Sequence, residues 1–577
     1  MATQDHVADT NVEKINENLA KVEHLSQRLI QTLAARNPAN PTLSGPSQDL
    51  LTKAASSYWT GIMGNPGRIY EQQLEYWGKS VRHFMEAQQS MLRGVASESD
   101  DEPDPLANDK RFANPLWDSH PYFKYIKNQY ALNAQAVDQA LADVDETLSE
   151  TDRQRLDYFA HQIVDMMSPT NFLGTNPDAL ERAVETEGES LVKGLENLIA
   201  DLEANNGELV VRLADDRAFE LGENIATAPG EVVYRNRMME LIQYSPSTEQ
   251  VHTTPLIIFP PWINKFYIMD LKPQNSLIRW IVDQGYTLFV VSWVNPDESY
   301  AEVGIEEYVE EGFLTAIREV KAITGQSPVN AVGYCIAGTT LHLALALMAK
   351  RGDKSIKSAT FFTALTDFSE QGEFTPFLQD DFIDGIEQEV AEQGVLRSFV
   401  MGRTMSFLRS VDLIYQPAVR SYMMGETPPA FDLLYWNGDG SNLPARMAVQ
   451  YLRGLCQRNE FVGDGFELGG ETLHISDVKI PLMSVTCKSD HIAPWKDCHR
   501  GFQQTGAKDR TFIVSESGHI AGIVNPPSKN KYGHFTNDDE SGTADEWMAG
   551  AEYHEGSWWP RWEAWLAKRS GKMIAAR

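Results

Sequence analysis

Residues 331–340 read AVGYCIAGTT and place a cysteine among small residues. The strand-forming run 329–332 precedes it, and a helix-forming run extends from Thr339 to Lys350. This order predicts that Cys335 lies on a turn between a buried strand and a helix. A free cysteine is usually a buried packing residue. The decapeptide alone therefore leaves two roles open for Cys335, packing and nucleophilic chemistry.

The chain around this decapeptide alternates short apolar runs with helical patterns from residue 207 onward. The first stretch, EVVYRNRMMELIQYSP, alternates like a strand, and the short apolar runs are TPLIIFPPW, YTLFVVSWVNP, PVNAVGYC, SATFFTALTDF, IPLMSVTCKSD and RTFIVSESG. Apolar strands separated by helices predict an α/β fold, with a mostly parallel sheet covered by helices on both faces. The alternation lapses over about 369–447, which predicts a cap inserted over the strand ends where ligands bind.

A cysteine between strand and helix in such a sheet matches the nucleophile elbow of the α/β-hydrolase fold. The turn requires small residues two places before and two places after the nucleophile, and Gly333 and Ala337 occupy those places. The helix N-terminus favours a thiolate at Cys335. The backbone N–H of Ile336 is the first candidate donor to an oxyanion.

An acid and a histidine follow in the order that this fold uses for its catalytic triad. Asp490 comes directly after the apolar run that ends in SVTCKSD, and His519 comes after RTFIVSESG. Taken singly, each is an ordinary loop residue. Because all three residues follow the carboxyl ends of predicted strands, we expect Cys335, Asp490 and His519 to form a catalytic triad.

A second oxyanion donor is expected after an earlier strand, in TPLIIFPPWINK. Pro260 and Pro261 have no N–H, so Trp262 and then Ile263 are the first candidates. A rigid Pro-Pro turn without catalytic contact is the alternative.

A metal site is not expected, although Cys487, His491, Cys498 and His499 lie close together in the sequence. Cys487 belongs to a predicted strand, and the spacing of the four residues is not that of zinc ligands. Cys456 is predicted to be a packing residue.

Composition narrows the classes of partner. The 577 residues carry a net charge of −31, which argues against nucleic acid and against anionic membranes as partners. We find no secretory signal and no apolar run of membrane-spanning length. Four cysteines without paired spacing fit a reducing compartment, so we expect a cytoplasmic protein.

The first two hundred residues are predicted to be helical. Residues 1–104 read as a mobile helical segment that ends in an acidic linker over 97–110, and 105–206 as a helical N-terminal domain. The catalytic domain spans 207–577. The amphipathic helices of the first segment either dock on the main body or offer a surface to partners or to a hydrophobic particle.

The choice of cysteine over serine indicates the substrate. A thiolate that attacks a thioester exchanges one thioester for another of similar energy, and the acyl-cysteine remains reactive enough to acylate an alcohol. This favours acyl transfer from a thioester. Two alternatives are a hydrolase on the same scaffold and a non-enzymatic protein whose amphipathic N-terminal segment is the active part.

Several motifs together resemble those of the polyhydroxyalkanoate synthases. They are GYCIAGT, PPWINKFYIMDL, SWVNPD, LYWNGDGSNLP, KSDHIAPW and SGHIAGIVNPP. The resemblance covers about residues 105–577, and the single long chain is similar to the class I enzymes. It implies polymerisation of (R)-3-hydroxyacyl groups from coenzyme A thioesters, with coenzyme A released as product and no cofactor. It also implies a cytoplasmic homodimer at the surface of polymer granules, with granule-coat proteins as further partners through the N-terminal segment.

The same resemblance assigns the catalytic roles to Cys335, Asp490 and His519, and it brings Asp270 and Trp436 forward as candidates for substrate or cap contacts. From the residues alone, Asp270 reads as a helix or loop cap. The chain departs from the family at Ala337, where a glycine is usual.

Overall fold

The computed structural model describes residues 2–34, 50–57, 66–93, 104–144, 148–205, 207–370 and 372–576. These residues form two compact units. One comprises Met1–Asp215 with Arg403–Pro429, and the other comprises Asp216–Gly402 with Ala430–Arg577. The interval predicted to be a cap is thus divided between the two units. The first half of the predicted acidic linker, residues 97–103, lies outside the described residues.

The first unit is helical. Its principal helices are α1 (Ala2–Ala34), α2 (50–57), α3 (Pro66–Arg93), α4 (Leu116–Ser119), α5 (Pro121–Val144), α6 (Glu150–Met166), α7 (Pro177–Glu185) and α8 (Glu189–Ala204). Side chains fix two of the starts, because Ser149 caps α6 and Asn176 caps α7. An aromatic cluster that includes Trp117 and Phe123 forms a small core.

The second unit contains the strands. They are β1 (Gly230–Arg235), β2 (Met239–Tyr244), β3 (Gln250–His252), β4 (Leu256–Phe259), β5 (Leu288–Trp293), β6 (Val329–Tyr334), β7 (Ile356–Phe362), β8 (Val395–Leu396), β9 (Leu443–Pro444), β10 (Phe466–Leu468), β11 (Glu471–Leu473), β12 (Leu482–Cys487), β13 (Arg510–Ser515), β14 (His534–Thr536), β15 (Glu552–His554) and β16 (Met573–Ala575).

Ten of these strands form one sheet in the order β1-β2-β5-β4-β6-β7-β12-β13-β14-β15. The strands from β5 to β13 in that order pair in parallel, and antiparallel strands extend both edges. Strand β6, which leads to Cys335, lies in the middle and is buried throughout. The chain therefore has the α/β-hydrolase fold that the sequence predicted.

The stretch EVVYRNRMMELIQYSP differs from the expectation of one alternating strand. It forms the hairpin β1–β2, because the Asn236 side chain accepts hydrogen bonds from the N–H groups of Met238 at 2.8 Å and Met239 at 3.0 Å. This side-chain turn reverses the chain between the two strands.

The remaining helices belong to the second unit, except one that crosses the boundary at Arg403 and one that lies within Arg403–Pro429 of the first unit. They are α9 (Leu277–Asp283), α10 (Ile305–Glu307), α11 (Thr315–Thr324), α12 (Ile336–Lys350), α13 (Asp380–Gln393), α14 (Ser398–Phe407), α15 (Gln416–Ala418), α16 (Asp432–Gly438), α17 (Ala445–Val449), α18 (Trp495–Gln503), α19 (Ala544–Ala549) and α20 (Trp559–Ala567). Four π-helical stretches accompany them, at Tyr308–Leu314, Val411–Tyr415, Val419–Met423 and Gln450–Gln457. None of the described helices combines the length and apolar character needed to span a membrane.

Candidate active site

The turn at Cys335 is a tight elbow. Strand β6 ends at Tyr334 and helix α12 begins at Ile336, so a single residue connects them. Cys335 has φ 53° and ψ −128°, a conformation that costs a non-glycine residue about 1–3 kcal/mol. Its N–H donates to Phe362 O at 2.8 Å, and its carbonyl accepts from Gly338 N–H at 2.8 Å. These bonds hold the strained turn at the carboxyl edge of the sheet.

Two glycines make the elbow possible. A Cβ on Gly333 would lie 2.7 Å from Gly338 Cα, and a Cβ on Gly338 would lie 2.5 Å from Ala364 Cβ. The side chain of Ala337 is fully buried. The close approach of strand and helix is thus between Gly333 and Gly338. The spacing of the elbow predicted Ala337 as the small residue after Cys335, and Gly338 lies one position beyond it.

Asp490 and His519 meet across the ends of β12 and β13. His519 Nδ1 donates to Asp490 Oδ2 at 2.7 Å. The other oxygen, Asp490 Oδ1, accepts from the N–H groups of Ile492 at 2.8 Å and Ala493 at 2.9 Å. Because both carboxylate oxygens are engaged and the side chain is buried, Asp490 fixes the orientation of the imidazole.

The electrostatics of the site favour a protonated His519. Burial of the ring opposes the charged form, but the Asp490 carboxylate, the Cys335 sulfur and hydrogen bonds to both groups favour it more strongly. The pKa of His519 therefore lies well above its ordinary value. The imidazolium thus interacts with both the Cys335 sulfur and the Asp490 carboxylate.

Tyr334 contacts both the ring and the backbone of His519. Its ring stacks on that of His519 with centroids 6.1 Å apart, and its hydroxyl donates to the His519 carbonyl at 3.3 Å. Burial raises the pKa of Tyr334, so the hydroxyl stays neutral. Sequence reasoning missed this residue, although an aromatic side chain next to the elbow cysteine was the available signal.

The candidate oxyanion donors lie beside the elbow. Parallel register pairs Phe259 of β4 with Gly333 of β6, so the Pro-Pro turn that follows runs alongside Cys335. The buried Trp262 indole donates to Thr340 Oγ1 at 3.1 Å. This bond ties Trp262 to helix α12. The N–H of Ile336, the first residue of that helix, has no intrahelical acceptor.

Asp270 and Trp436 are both buried and serve loop contacts. Asp270 Oδ2 accepts from Ala228 N–H at 2.7 Å, and Asp270 O accepts from Ala226 N–H at 2.9 Å. Burial raises the pKa of Asp270. Trp436 donates from Nε1 to Lys265 O at 2.8 Å, and its ring belongs to the core cluster against which Cys335 packs.

Tyr451 is a site residue that the sequence reasoning missed. It lies in the π-helical stretch Gln450–Gln457, and its ring contacts those of Trp262 at 5.5 Å and Phe368 at 6.2 Å between centroids. Burial is the main cause that raises the pKa of Tyr451, and the neighbouring Cys456 and Cys335 sulfurs raise it further. A π-helical turn often marks a functional site, but a single sequence carries no signal for it.

The other three cysteines are buried free thiols. Burial raises the pKa of Cys456, Cys487 and Cys498, so they remain unreactive thiols. His499 packs against Phe512 and Trp547. Within the described ranges, no three His, Cys, Asp or Glu side chains come together in a group that could hold a metal ion.

A strained cysteine elbow after β6 at the carboxyl edge of a parallel sheet, with a histidine–carboxylate pair after β12 and β13, defines an enzyme of the α/β-hydrolase fold class. Residues 254–526 match the sequence profile of the alpha/beta hydrolase fold, and residues 108–281 match that of the poly-beta-hydroxybutyrate polymerase (PhaC) N-terminus. The chain belongs to the poly(3-hydroxyalkanoate) polymerase family, a family of acyltransferases.

Relatives of high coverage support this membership. The poly(3-hydroxyalkanoate) polymerase subunit PhaC of Rhizobium meliloti is 38% identical over 97% of this chain and 91% of its own length. The poly(3-hydroxyalkanoate) polymerase of Methylorubrum extorquens is 39% identical over 93% of this chain and 88% of its own. The poly(3-hydroxyalkanoate) polymerase subunit PhaC of Cupriavidus necator is 38% identical over 89% of this chain and 86% of its own length. Among solved structures, a monoacylglycerol lipase of Paleococcus ferrophilus covers 49% of this chain and 90% of its own at 13% identity, with a TM-score of 0.31.

Proposed function

We propose that the protein polymerises (R)-3-hydroxyacyl groups from their coenzyme A thioesters into polyester, with release of coenzyme A, through an acyl-Cys335 intermediate. The observation that carries this proposal is the elbow cysteine facing a His519 ring that Asp490 holds at 2.7 Å. Family membership supports the polyester product.

The first half-reaction loads the enzyme. Cys335 gives its proton to His519, and its sulfur forms a bond to the thioester carbonyl carbon. The bond between that carbon and the coenzyme A sulfur breaks, and His519 returns the proton to the leaving thiolate. The negative charge on the carbonyl oxygen is stabilised by the N–H groups of Ile336 and Trp262.

The second half-reaction extends the chain. His519, oriented by Asp490, takes the proton of a 3-hydroxyl group, and that oxygen attacks the carbonyl carbon of acyl-Cys335. An ester bond forms, the carbon–sulfur bond to Cys335 breaks, and the proton returns to the sulfur. The atoms balance without a cofactor.

One experiment distinguishes this function from its alternatives. The purified protein is supplied with (R)-3-hydroxybutyryl-coenzyme A, and free thiol and turbidity are followed together. Thiol release with turbidity supports polymerisation. Thiol release with only soluble 3-hydroxybutyrate would mean a hydrolase, and no release would favour a coat protein. Cys335→Ala should abolish thiol release while the protein stays folded by circular dichroism; retained activity would refute the acyl-Cys335 mechanism.

We also propose that the chain works as a homodimer at the granule surface, with the N-terminal segment contacting the granule and its coat proteins. Helix α3 supports this part, because it exposes Leu74, Trp77, Val81 and Phe84 at the spacing of one helix face. Light scattering should give twice the chain mass. Trp77→Ser with Phe84→Ser should reduce co-sedimentation with washed granules; unchanged co-sedimentation would contradict the role of α3.

A further inference from the structure

Three lysines surround the loops that carry Asp490 and His519. Lys488 follows directly after β12, and Lys529 and Lys531 lie in the loop that leads into β14. Strand β14 runs antiparallel to β13 and pairs its first residue, His534, with Ser515 at the carboxyl end of β13. All three lysines therefore lie at the same edge of the sheet as the candidate catalytic pair.

Specific contacts tie these lysines to the His519 loop. The Lys531 ammonium lies 4.8 Å from the ring centre of the neighbouring Tyr532. Ser489, between Lys488 and Asp490, donates its N–H to Ser517 O at 2.9 Å. The Lys488 ammonium lies 4.7 Å from the ring centre of Phe535. Polar interaction of the Tyr532 hydroxyl with Lys531 and with Ser517, two residues before His519, together with the charges of Lys531 and Lys529, lowers the pKa of Tyr532.

These ammonium groups are exposed, and within the part of the chain that the structure describes none of the three forms an ion pair with a carboxylate. By contrast, Lys496 pairs with Asp545 at 2.6 Å. Two acids lie near these lysines. Asp490 pairs with His519 at 2.7 Å, and Glu516 Oε2 accepts from Gly533 N–H at 2.9 Å and from the Tyr553 hydroxyl at 3.2 Å. In a chain of net charge −31, this edge thus carries local positive charge beside the candidate site.

Lack of an ion pair does not by itself distinguish these three lysines from others. Lys354, Lys479 and Lys508 are also exposed and precede β7, β12 and β13 at the opposite edge of the sheet. What distinguishes Lys488, Lys529 and Lys531 is their position around the Asp490–His519 pair. The three lysines at the far edge provide a control of equal charge.

We propose that Lys488, Lys529 and Lys531, together with the Tyr532 hydroxyl, bind the phosphate groups of the nucleotide half of the acyl-coenzyme A substrate. This inference rests on the proposed function. The pantetheine arm separates those phosphates from the thioester, so groups that bind them belong at the rim of the site and not at the triad. Lysine binds phosphate as a point charge, and a hydroxyl adds a directional donor.

The test compares the triple variant Lys488→Gln, Lys529→Gln, Lys531→Gln with the control triple variant Lys354→Gln, Lys479→Gln, Lys508→Gln. Binding of coenzyme A to the full chain is measured by calorimetry, and KM and kcat are measured with (R)-3-hydroxybutyryl-coenzyme A. For the rim variant we expect Kd and KM to rise about tenfold with kcat little changed, as expected when three modest charge pairs are lost together. The wild-type KM should also rise more steeply with ionic strength than that of the rim variant.

A substrate without phosphates sharpens the comparison. The ratio of kcat/KM for the coenzyme A thioester to that for the (R)-3-hydroxybutyryl-N-acetylcysteamine thioester should fall about tenfold in the rim variant and stay unchanged in the control. An unchanged ratio, an equal loss in both triple variants, or a wild-type chain that does not bind coenzyme A would overturn the inference. Wild-type binding without thiol release would refute the proposed function and leave the phosphate site standing.

Discussion

At the scale of single residues, the site depends on a backbone conformation that Cys335 adopts against its own preference. The φ of 53° is held by the hydrogen bonds of its N–H and carbonyl and by the contact between Gly333 and Gly338. The position of the sulfur is therefore set by its neighbours more than by the cysteine itself.

Gly338→Ala should move that sulfur. The new Cβ would lie 2.5 Å from Ala364 Cβ, so helix α12 must shift at its first turn. We expect a loss of about 1–3 kcal/mol in the free energy of unfolding and a large loss of thiol release. Gly402→Ala is the control, since nothing lies within 4 Å of its added Cβ. Equal urea-unfolding midpoints and equal rates of thiol release for the two variants would contradict the role of Gly338.

Asp490→Asn removes the charge that holds His519 protonated and oriented. We expect kcat to fall by about 10²–10⁴-fold while the fold is retained. Because the Asp490 carboxylate contributes to the raised pKa of His519, the variant should also shift the pH–rate profile toward lower pH. If Asp490→Asn lowers the rate but keeps the wild-type pH dependence, Asp490 acts only through packing.

At the scale of elements, Arg453 connects the π-helical stretch Gln450–Gln457 to helix α13. Its guanidinium donates to Glu387 at 2.8 Å and to Asp380 at 2.7 Å, and it also contacts Asp384. Three carboxylates on successive turns of one helix thus share one cation. This pairing holds the stretch Gln450–Gln457, which also carries Tyr451, against helix α13.

Arg453→Met should loosen that connection. Three like charges would remain on α13 without their cation, and we expect a loss of about 1–2 kcal/mol in the free energy of unfolding. High salt should reduce the difference from wild type. Arg458→Met is the control, because Arg458 pairs with Glu460 near the surface. Urea unfolding at two salt concentrations measures both effects, and equal losses in the two variants would count against the connection.

At the scale of the whole molecule, buried titratable groups make stability depend on pH in opposite directions. Burial raises the pKa of Glu540 to about 7 and lowers the pKa of His342 to about 4. Glu540 thus contributes stability at low pH that is lost as the pH rises through 7. His342 contributes stability above its ordinary pKa that is lost as the pH falls toward 4.

Glu540→Gln isolates the first of these contributions. One carboxylate oxygen accepts from Phe512 N–H at 2.8 Å, while Oε2 is buried without a partner among the described atoms, so ionisation is unfavourable there. Relative to Glu540→Gln, the wild-type free energy of unfolding should fall by about 2–3 kcal/mol between pH 4.5 and 7. Denaturant unfolding at several pH values measures this, with exposed Glu555→Gln as control. A constant difference across that range would contradict a buried acid at Glu540.

The α/β fold and the order of its strands and helices could be predicted from the amino-acid sequence. Local patterns were sufficient for this, because strand runs, helix runs and the small residues around Cys335 are features of neighbouring positions. The same patterns located Asp490 and His519 after strands, since the carboxyl ends of parallel strands lie at one edge of a sheet. The hairpin at Asn236 was missed, because a single side chain reversed a pattern that otherwise alternates.

The side chains that meet at that edge could be identified only from the packed three-dimensional fold. The contact of Gly333 with Gly338, the stacking of Tyr334 on His519, the ring of Tyr451 against Trp262 and the lysines around Ser517 join residues from separate elements. Such contacts depend on sheet order, on register and on how far a helix end approaches a strand. These quantities are set by packing across the whole unit, and no local run of residues encodes them.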